Sequence, residues 1–172
     1  ICGQYLPTWR PNQDYTKSYS ADLNKGGGVL RDLSHELDYS SWLFGKLDNI
    51  KYINTKVSDL NINSDDLLTL IGITKNKTII NLSIDYISKI PIRRLIIHTK
   101  NKTIEADMIN NLISIQSKKN GYKTIKLESV DRNFTYKKMH QSILMNRYKD
   151  VCSFNEGEKI VNTIQNIKFK EL

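Results

Sequence analysis

The chain has 172 residues, enough for one domain with a core of its own. No apolar run approaches the roughly 20 residues that a membrane-spanning helix needs, and two cysteines are too few for a disulfide framework. The formal charge is +8, but the lysines are scattered, which argues against a nucleic-acid surface. We therefore expect a cytoplasmic protein with reduced thiols and with neither a membrane nor a nucleic-acid partner.

The first quarter of the sequence combines a long loop with a helix. Ile1 is not an initiator Met and reads as the end of a strand, so we expect a fragment of a longer protein. Residues 7–25 form a polar, aromatic segment, long enough to be functional or to carry a short helix of its own. Gly26-Gly27-Gly28 then permits a sharp turn into a helix predicted from Val29 to Phe44, and Gly45 ends that helix.

The middle of the sequence is rich in β-branched residues, and many of its segments alternate apolar with polar side chains. Strands are predicted at 50–59, 66–74, 78–88, 92–99, 102–107 and 122–129. Two near-identical Thr-Lys-Asn-Lys-Thr segments, 74–78 and 99–103, predict hairpin connections in which Asn takes the positive-φ position.

Two further helices are predicted at the end of the sequence. The first runs from Tyr136 to Tyr148, and the second follows Ser153, with Glu156 completing a capping box. The order of helix, sheet and helices predicts an α+β fold: an open, mostly antiparallel sheet with helices packed on one face. We expect residues 1–172 to form a single domain.

The predicted helix from Val29 to Phe44 carries the candidate chemistry. Its apolar residues fall on one side, and the opposite side carries Arg31, His35, Asp38 and Trp42. Asp32 and Asp38 each lie three residues from His35, so on one continuous helix either carboxylate can fix the tautomer of the imidazole. This arrangement suits proton transfer near neutral pH. A solvated helix face with ordinary ion pairs gives the same spacing.

The three glycines before the helix call for a separate explanation. They are unfavourable at a helix start unless the backbone must approach something closely. They lack the Gly-x-Gly-x-x-Gly spacing of a dinucleotide motif, and no Gly-Lys-Ser/Thr follows. Metal-ligand spacing is also missing from the sequence, so no metal site is predicted.

The segment from Gly26 to Gly45 is the most specific of several that match one family. The others are Gly3 to Pro11, Tyr15, Tyr19-Ser20, Asp85-Tyr86, Pro91 to Arg94, Thr103 to Asp107 and Asn155 to Ile167. Together they resemble the C-terminal domain of the Gfo/Idh/MocA oxidoreductases, the family of glucose–fructose oxidoreductase and inositol 2-dehydrogenase. The chain is similar in particular to members linked to surface-polysaccharide and sialic-acid-like sugar biosynthesis.

The resemblance implies a two-domain enzyme whose N-terminal Rossmann domain lies outside this sequence, so the isolated chain is expected to be inactive. That domain would hold most of the NAD or NADP, with Gly27 and Gly28 contributing contacts to the cofactor. The implied reaction moves a hydride between nicotinamide and the hydroxyl-bearing carbon of a sugar or nucleotide sugar. His35 would be the catalytic acid/base and Asp32 its acidic companion, although many members place this His four residues after the Asp and not three. The sheet face implies a homodimer or homotetramer.

Substrate contacts are predicted from the aromatic loop and from the helix. The candidates are Trp9, Arg10, Tyr15, Tyr19, Arg31 and Asp38. Aromatic rings stack on the C–H faces of sugars, and Arg10 can hold a carboxylate or phosphate. Two structural alternatives remain open: the aromatic residues serve only to fix a long loop to the body of the domain, and Arg31 is the partner of a surface ion pair.

Two other functions compete with the enzyme. A non-enzymatic dimerisation or interaction module with a vestigial site would share the sheet and the oligomer, so ligand binding or turnover separates it from the enzyme. A nucleic-acid binder would show a clustered basic patch and steeply salt-dependent binding.

Overall fold

The computed structural model describes residues 1–131 and 133–171. These residues form two compact units. The first contains Ile1–Arg93 and the segment from Asn162 onward, and the second contains Arg94–Val161. The prediction of one domain over residues 1–172 stays a prediction.

The first unit is built on a sheet with two helices. Its elements are β1 (Cys2–Gly3), α1 (Val29–Asp32), α2 (Ser34–Phe44), β2 (Leu47–Thr55), β3 (Leu67–Thr74), β4 (Ile79–Asp85) and the start of β5 (Ile92–His98). The strand order is β2-β3-β4-β1-β5. The pairing of β1 with β4 is parallel, and the other pairings of this unit are antiparallel.

The sheet of the first unit has one buried face and one exposed face because side chains alternate along each strand. Leu68 and Leu70 of β3 and Leu82 of β4 point into the core, where they meet Val29 and Leu37 of the two helices. Ile164 and Ile167, near the end of the chain, pack against the same cluster. The helices therefore cover one face of the sheet in this unit.

The segment before α1 folds into short helical turns. Four 3₁₀ turns lie at Leu6–Thr8, Tyr15–Lys17, Tyr19–Ala21 and Leu23–Lys25. The prediction that residues 7–25 carry helical structure of their own is confirmed. Asp14 and Asp22 each cap the turn that follows, since their carboxylates accept hydrogen bonds from the backbone N–H two residues on.

The prediction of one helix from Val29 to Phe44 is wrong at a single residue. Leu33 takes φ −102° and ψ 23°, outside the helical region, and separates α1 from α2. Asp32 before it and Glu36 after it are both tied to distant parts of the chain. These tertiary contacts override the local helical pattern, as often happens. The helical spacing assumed between Asp32 and His35 therefore does not hold.

The second unit contains the rest of β5, then β6 (Lys102–Asp107), β7 (Leu112–Ser117) and β8 (Gly121–Lys126). Each strand pairs antiparallel with the next. The sequence prediction lacks β7, although Leu112, Ile113 and Ile115 supply the β-branched and aliphatic residues of a strand. Asn111 takes a positive φ of 52°, which marks the turn before β7.

The helices of the second unit are α3 (Phe134–Leu144) and α4 (Phe154–Asn166), and α4 ends in the first unit. The capping box at the start of α4 is confirmed. The Glu156 carboxylate accepts from the Ser153 backbone N–H at 2.7 Å, and the Ser153 hydroxyl accepts from the Glu156 N–H at 3.3 Å. None of the helices within the described ranges is long and apolar enough to span a membrane.

Both predicted hairpin connections are present, but the prediction of a positive φ at Asn is wrong in both, at Asn76 and at Asn101. Lys77, and not Asn76, adopts φ 62° between β3 and β4. The Lys77 N–H donates to the Thr74 carbonyl at 2.9 Å, so Lys77 closes the turn. In this turn the left-handed residue follows the two central ones, which accounts for the shift by one position. The predicted fold class, an open and mostly antiparallel sheet with helices, is confirmed.

Candidate functional site

Two of the three glycines before α1, Gly27 and Gly28, approach other parts of the same chain. A side chain on Gly27 would meet the carbonyl oxygens of Ser20 and Asp22 at 2.6 and 2.8 Å and would collide with that of Tyr19. Gly28 has φ 109° and lies against the Asp65 carboxylate. The close approach inferred from the sequence is therefore to the protein itself. This contact explains both glycines without a cofactor, and their role in cofactor binding stays a prediction.

Asp65 holds the start of α1. Its carboxylate accepts from the Leu30 N–H at 2.9 Å, and its carbonyl accepts from the Val29 N–H at 2.9 Å. Burial raises the pKa of Asp65, and the hydrogen bond from Leu30 partly offsets that rise. The N-terminal N–H groups of α1 are thus satisfied within the fold.

Asp32 lies at the end of α1 and is held by two hydroxyl groups. Its Oδ2 accepts from Ser20 Oγ at 2.6 Å and from the Tyr86 hydroxyl at 2.7 Å. Tyr86 is fully buried, and burial together with the negative charge of Asp32 raises the pKa of this phenol well above its usual value. Asp32 therefore has two firm hydrogen-bond donors, and within the described part of the chain no hydrogen bond or ion pair joins it to His35.

A shallow depression lies next to this carboxylate. Its lining is Leu6, Trp9, Arg10, Gln13, Asp14, Tyr15, Ser18 and Ser20. The Trp9 indole N–H donates to the Gln4 carbonyl at 3.1 Å, and its ring meets Tyr86 edge-on at 5.1 Å between centroids. The Tyr15 hydroxyl accepts from the Asn61 N–H at 3.3 Å. Trp9 and Tyr15 thus do both things considered from the sequence: they fix the loop and they line a concave surface.

The remaining predicted substrate residues take varied positions. The Arg10 guanidinium lies over the Tyr19 ring, 5.3 Å from its centroid, and Tyr19 itself is exposed. Arg31 is exposed and donates from Nη1 to the Gly27 carbonyl at 3.3 Å. Asp38 is half-buried on α2. The structure therefore groups Trp9, Arg10 and Tyr15 in one depression and leaves Arg31 bonded to its own chain.

His35 lies in the first turn of α2 with its side chain 51% exposed. Its Nε2 is 3.3 Å from Oε1 of Glu36, a side chain that is 0% exposed. The same oxygen is 2.8 Å from Nη2 of Arg93 on β5, and the Tyr39 hydroxyl donates to the other Glu36 oxygen at 2.7 Å. The exposed imidazole of His35 thus lies against the buried carboxylate of Glu36. This carboxylate is also ion-paired with Arg93 and accepts a hydrogen bond from Tyr39.

The Glu36 cluster shifts the titration of its members. Burial alone would raise the pKa of Glu36, but contacts with His35 and Tyr39 and the positive charge of Arg93 outweigh burial and hold this pKa below its usual value. Burial, and then the charge of Glu36, raise the pKa of Tyr39 and raise that of Cys2 to about 11. Glu36 is therefore an anion at neutral pH, while Tyr39 and Cys2 stay protonated.

Sequence reasoning missed Glu36, Arg93, Tyr86 and Ser20 as members of these clusters. One local signal was available: Glu36 follows Leu33 by three residues and precedes Leu37, so it lies on the apolar stripe of the helix. A charged residue is almost never fully buried unless it is paired, so such a position indicates a buried ion pair. The identity of the partner, Arg93, depends on the tertiary fold.

Chemically, the arrangement can move a proton. The imidazole of His35 is accessible to a ligand, and a fixed carboxylate supports it. The depression supplies aromatic surface and a guanidinium.

The chain belongs to the Gfo/Idh/MocA oxidoreductases: residues 3–168 match the family model described as "Oxidoreductase family, C-terminal alpha/beta domain". The family predicted from the sequence is therefore confirmed. Among curated proteins, none matches the chain in sequence.

Solved structures share the fold. UDP-N-acetylglucosamine 3-dehydrogenase GnnA from Acidithiobacillus ferrooxidans has a TM-score of 0.72 and 17% identity over 96% of this chain and 50% of its own. An oxidoreductase from Agrobacterium radiobacter, in complex with NAD+, L-tartaric acid and magnesium, has a TM-score of 0.69 and 14% identity over 95% and 50%. A super-repressor mutant of Gal80p from Saccharomyces cerevisiae has a TM-score of 0.65 and 12% identity over 82% and 41%. The chain spans about half the length of the first two structures.

Proposed function

We propose that this chain is the substrate-binding and catalytic part of an NAD(P)-dependent oxidoreductase that acts on a sugar or nucleotide sugar. The observation that carries the proposal is the accessible imidazole of His35 held against the buried, ionised Glu36. In the proposed reaction, His35 takes the proton of a substrate hydroxyl while the hydride leaves the same carbon for nicotinamide. In reverse it returns that proton.

The proposed cofactor is NAD or NADP, held mainly by a separate nucleotide-binding domain. The sequence of this chain has no Gly-x-Gly-x-x-Gly motif, and Gly27 and Gly28 lie against the chain itself. The Agrobacterium radiobacter structure, which shares this fold, contains NAD+. In this proposal the separate domain holds the nucleotide, and the reactive ring of the nicotinamide faces the domain described here. We propose a cytoplasmic location, where both substrates are available.

The proposed substrate contacts lie in the depression. Trp9 and Tyr15 offer aromatic surface to a sugar ring, and Arg10 offers a fixed positive charge to a phosphate. Tyr19 carries the stacked guanidinium of Arg10 and so positions it. Arg31 on α1 and Asp38 on α2 are less favoured candidates for contacts with the substrate. A nucleotide sugar combines both features, since it has a ring and a diphosphate.

The decisive experiment is an assay of the oxidoreductase that carries this chain together with its nucleotide-binding domain. We expect UDP-N-acetylglucosamine to reduce NAD+ or NADP+, as measured by the absorbance of the reduced nicotinamide. Free N-acetylglucosamine is the matched control, because it has the same sugar without the diphosphate. We expect it to give a clearly higher KM, and an Arg10→Met variant to abolish the difference. A folded protein that reduces neither cofactor with either sugar would contradict the proposal.

We further propose that the exposed sheet face of the first unit joins copies of the chain as a homodimer or homotetramer. Four isoleucines lie on this face: Ile53, Ile71, Ile73 and Ile79, each at least 44% exposed. Strand alternation and the register of β2, β3 and β4 place them side by side. Such an apolar patch on a sheet is typical of an interface.

A single charge at the centre of this face should weaken the assembly. We expect Ile71→Lys to lower the mass of the particle in analytical ultracentrifugation, because burying an unpaired ammonium is costly. Lys75→Glu, in the exposed turn after β3, is the control and should leave the mass unchanged. Equal masses for Ile71→Lys and the unchanged protein would place the interface elsewhere.

The interaction-module alternative is favoured by one comparison, since a protein described as a super-repressor shares the fold. The fold alone therefore does not decide between the two functions. An oligomer without turnover in the assay above would favour this alternative.

A further inference from the structure

We propose that Glu36 is the positioning carboxylate of His35: it fixes the imidazole proton on Nε2 and leaves Nδ1 as the nitrogen that exchanges a proton with the substrate. The inference rests on the proposed function, in which His35 is the acid/base. It replaces Asp32, to which the family resemblance assigns the acidic companion role.

The geometry around Glu36 Oε1 calls for a donor. This oxygen is shielded from solvent, and within the described residues it has no well-aligned hydrogen bond, although Arg93 Nη2 is 2.8 Å away and His35 Nε2 is 3.3 Å away. A buried carboxylate oxygen without an aligned donor is costly. The half-exposed imidazole can supply this donor by directing an Nε2–H at Oε1. Hydrogen bonds of catalytic groups commonly tighten in this way when ligands bind.

The charge of Glu36 determines which nitrogen carries the proton. An ionised carboxylate only accepts hydrogen bonds, so the nitrogen that faces it must be the donor. Arg93 neutralises Glu36 from β5, and Tyr39 donates to the second oxygen. Cys2 on β1 also faces the cluster and stays protonated. In neutral His35 the Nε2 therefore keeps its hydrogen, and Nδ1 presents a lone pair.

Asp32 is poorly suited to this task. Its Oδ2 already accepts from Ser20 and Tyr86 at 2.6 and 2.7 Å. The break at Leu33 also removes the i, i+3 geometry that would bring Asp32 to the imidazole. Asp32 therefore fastens the end of α1 to Ser20 and Tyr86, and Glu36 supports His35.

A double-mutant cycle tests the inference in the oxidoreductase that carries this chain, with UDP-N-acetylglucosamine and NAD+ as substrates. We expect Glu36→Gln to lower kcat by roughly 10- to 100-fold with little change in KM, as for other groups that orient a reacting side chain. In a His35→Ala background the same substitution should cause no further loss, because its effect passes through the imidazole. An equal loss in both backgrounds, which a purely structural role would give, overturns the inference.

The control variant is Tyr39→Phe, which removes one hydrogen bond to Glu36 and keeps the charge. We expect its loss of kcat to be much smaller than that of Glu36→Gln. The failures of the two proposals are distinguishable. Full turnover in His35→Ala sinks the proposed function, whereas a dead His35→Ala with a fully active Glu36→Gln sinks only the role of Glu36.

Histidine ¹⁵N NMR of the unsubstituted chain decides the point even if Glu36→Gln does not fold. The sequence has only three histidines, and the His35 signals are assigned by their loss in His35→Ala. We expect neutral His35 to be a single Nε2–H tautomer, and to remain so in Asp32→Asn. A mixture of tautomers, or an Nδ1–H form, overturns the inference.

Discussion

Turnover of the oxidoreductase is expected to fall by roughly 100-fold or more when His35 is replaced by alanine, the typical loss for a removed general acid/base. The physical reason is that the substrate hydroxyl must lose its proton as the hydride departs. Without the imidazole, water has to accept that proton, and water is a much weaker base. The other side chains of the Glu36 cluster do not substitute, because Tyr39 and Cys2 hold their protons at neutral pH.

The measurement is kcat and KM for both substrates with matched thermal denaturation. His35 is half-exposed and has no place in the core, so His35→Ala should fold as before. His140→Ala is the control, since His140 is an exposed histidine on α3 in the second unit. A His35→Ala enzyme as fast as His140→Ala would remove His35 from the mechanism.

The elements predicted from the sequence are those that local patterns encode. The alternation in β3 and β4 predicts strands with one buried face, and Ser153 with Glu156 predicts the start of α4. Both depend on residues close together in the chain, so a sequence reveals them. The family resemblance extends this local information to the fold class and to His35.

The features that sequence reasoning missed depend on contacts between distant segments. Leu33 leaves the helix although it is an ordinary helix former, because Asp32 is fastened to Tyr86 and Glu36 to Arg93. Helical spacing offers both Asp32 and Asp38 as partners of His35, and the family resemblance selects Asp32, whereas the fold places the Glu36 carboxylate beside the imidazole. The pairing of Glu36 with Arg93 joins residues far apart in the chain, so a single sequence does not reveal it. The burial of Glu36 on the apolar stripe is the one local sign of it.

The second large effect concerns stability. We expect Gly27→Ala to destabilise the fold by about 3 kcal/mol or more, since three backbone carbonyl oxygens surround the place of the added methyl group. Backbone atoms cannot rotate away as a flexible side chain can. The expected fall in melting temperature is roughly 6–12 °C for a protein of this size.

Gly26→Ala is the matched control for this prediction. Gly26 has φ 82° and open space around the position of a side chain, so alanine there costs only the strain of a left-handed residue, about 1–2 kcal/mol. The comparison also separates the two explanations of the glycines. If Gly27 is needed for the fold, Gly27→Ala melts well below Gly26→Ala. If it is needed for the cofactor, the two variants melt alike and only Gly27→Ala binds NAD(H) more weakly in isothermal titration calorimetry of the whole oxidoreductase. The carbonyls of Tyr19, Ser20 and Asp22 around Gly27 favour the first result.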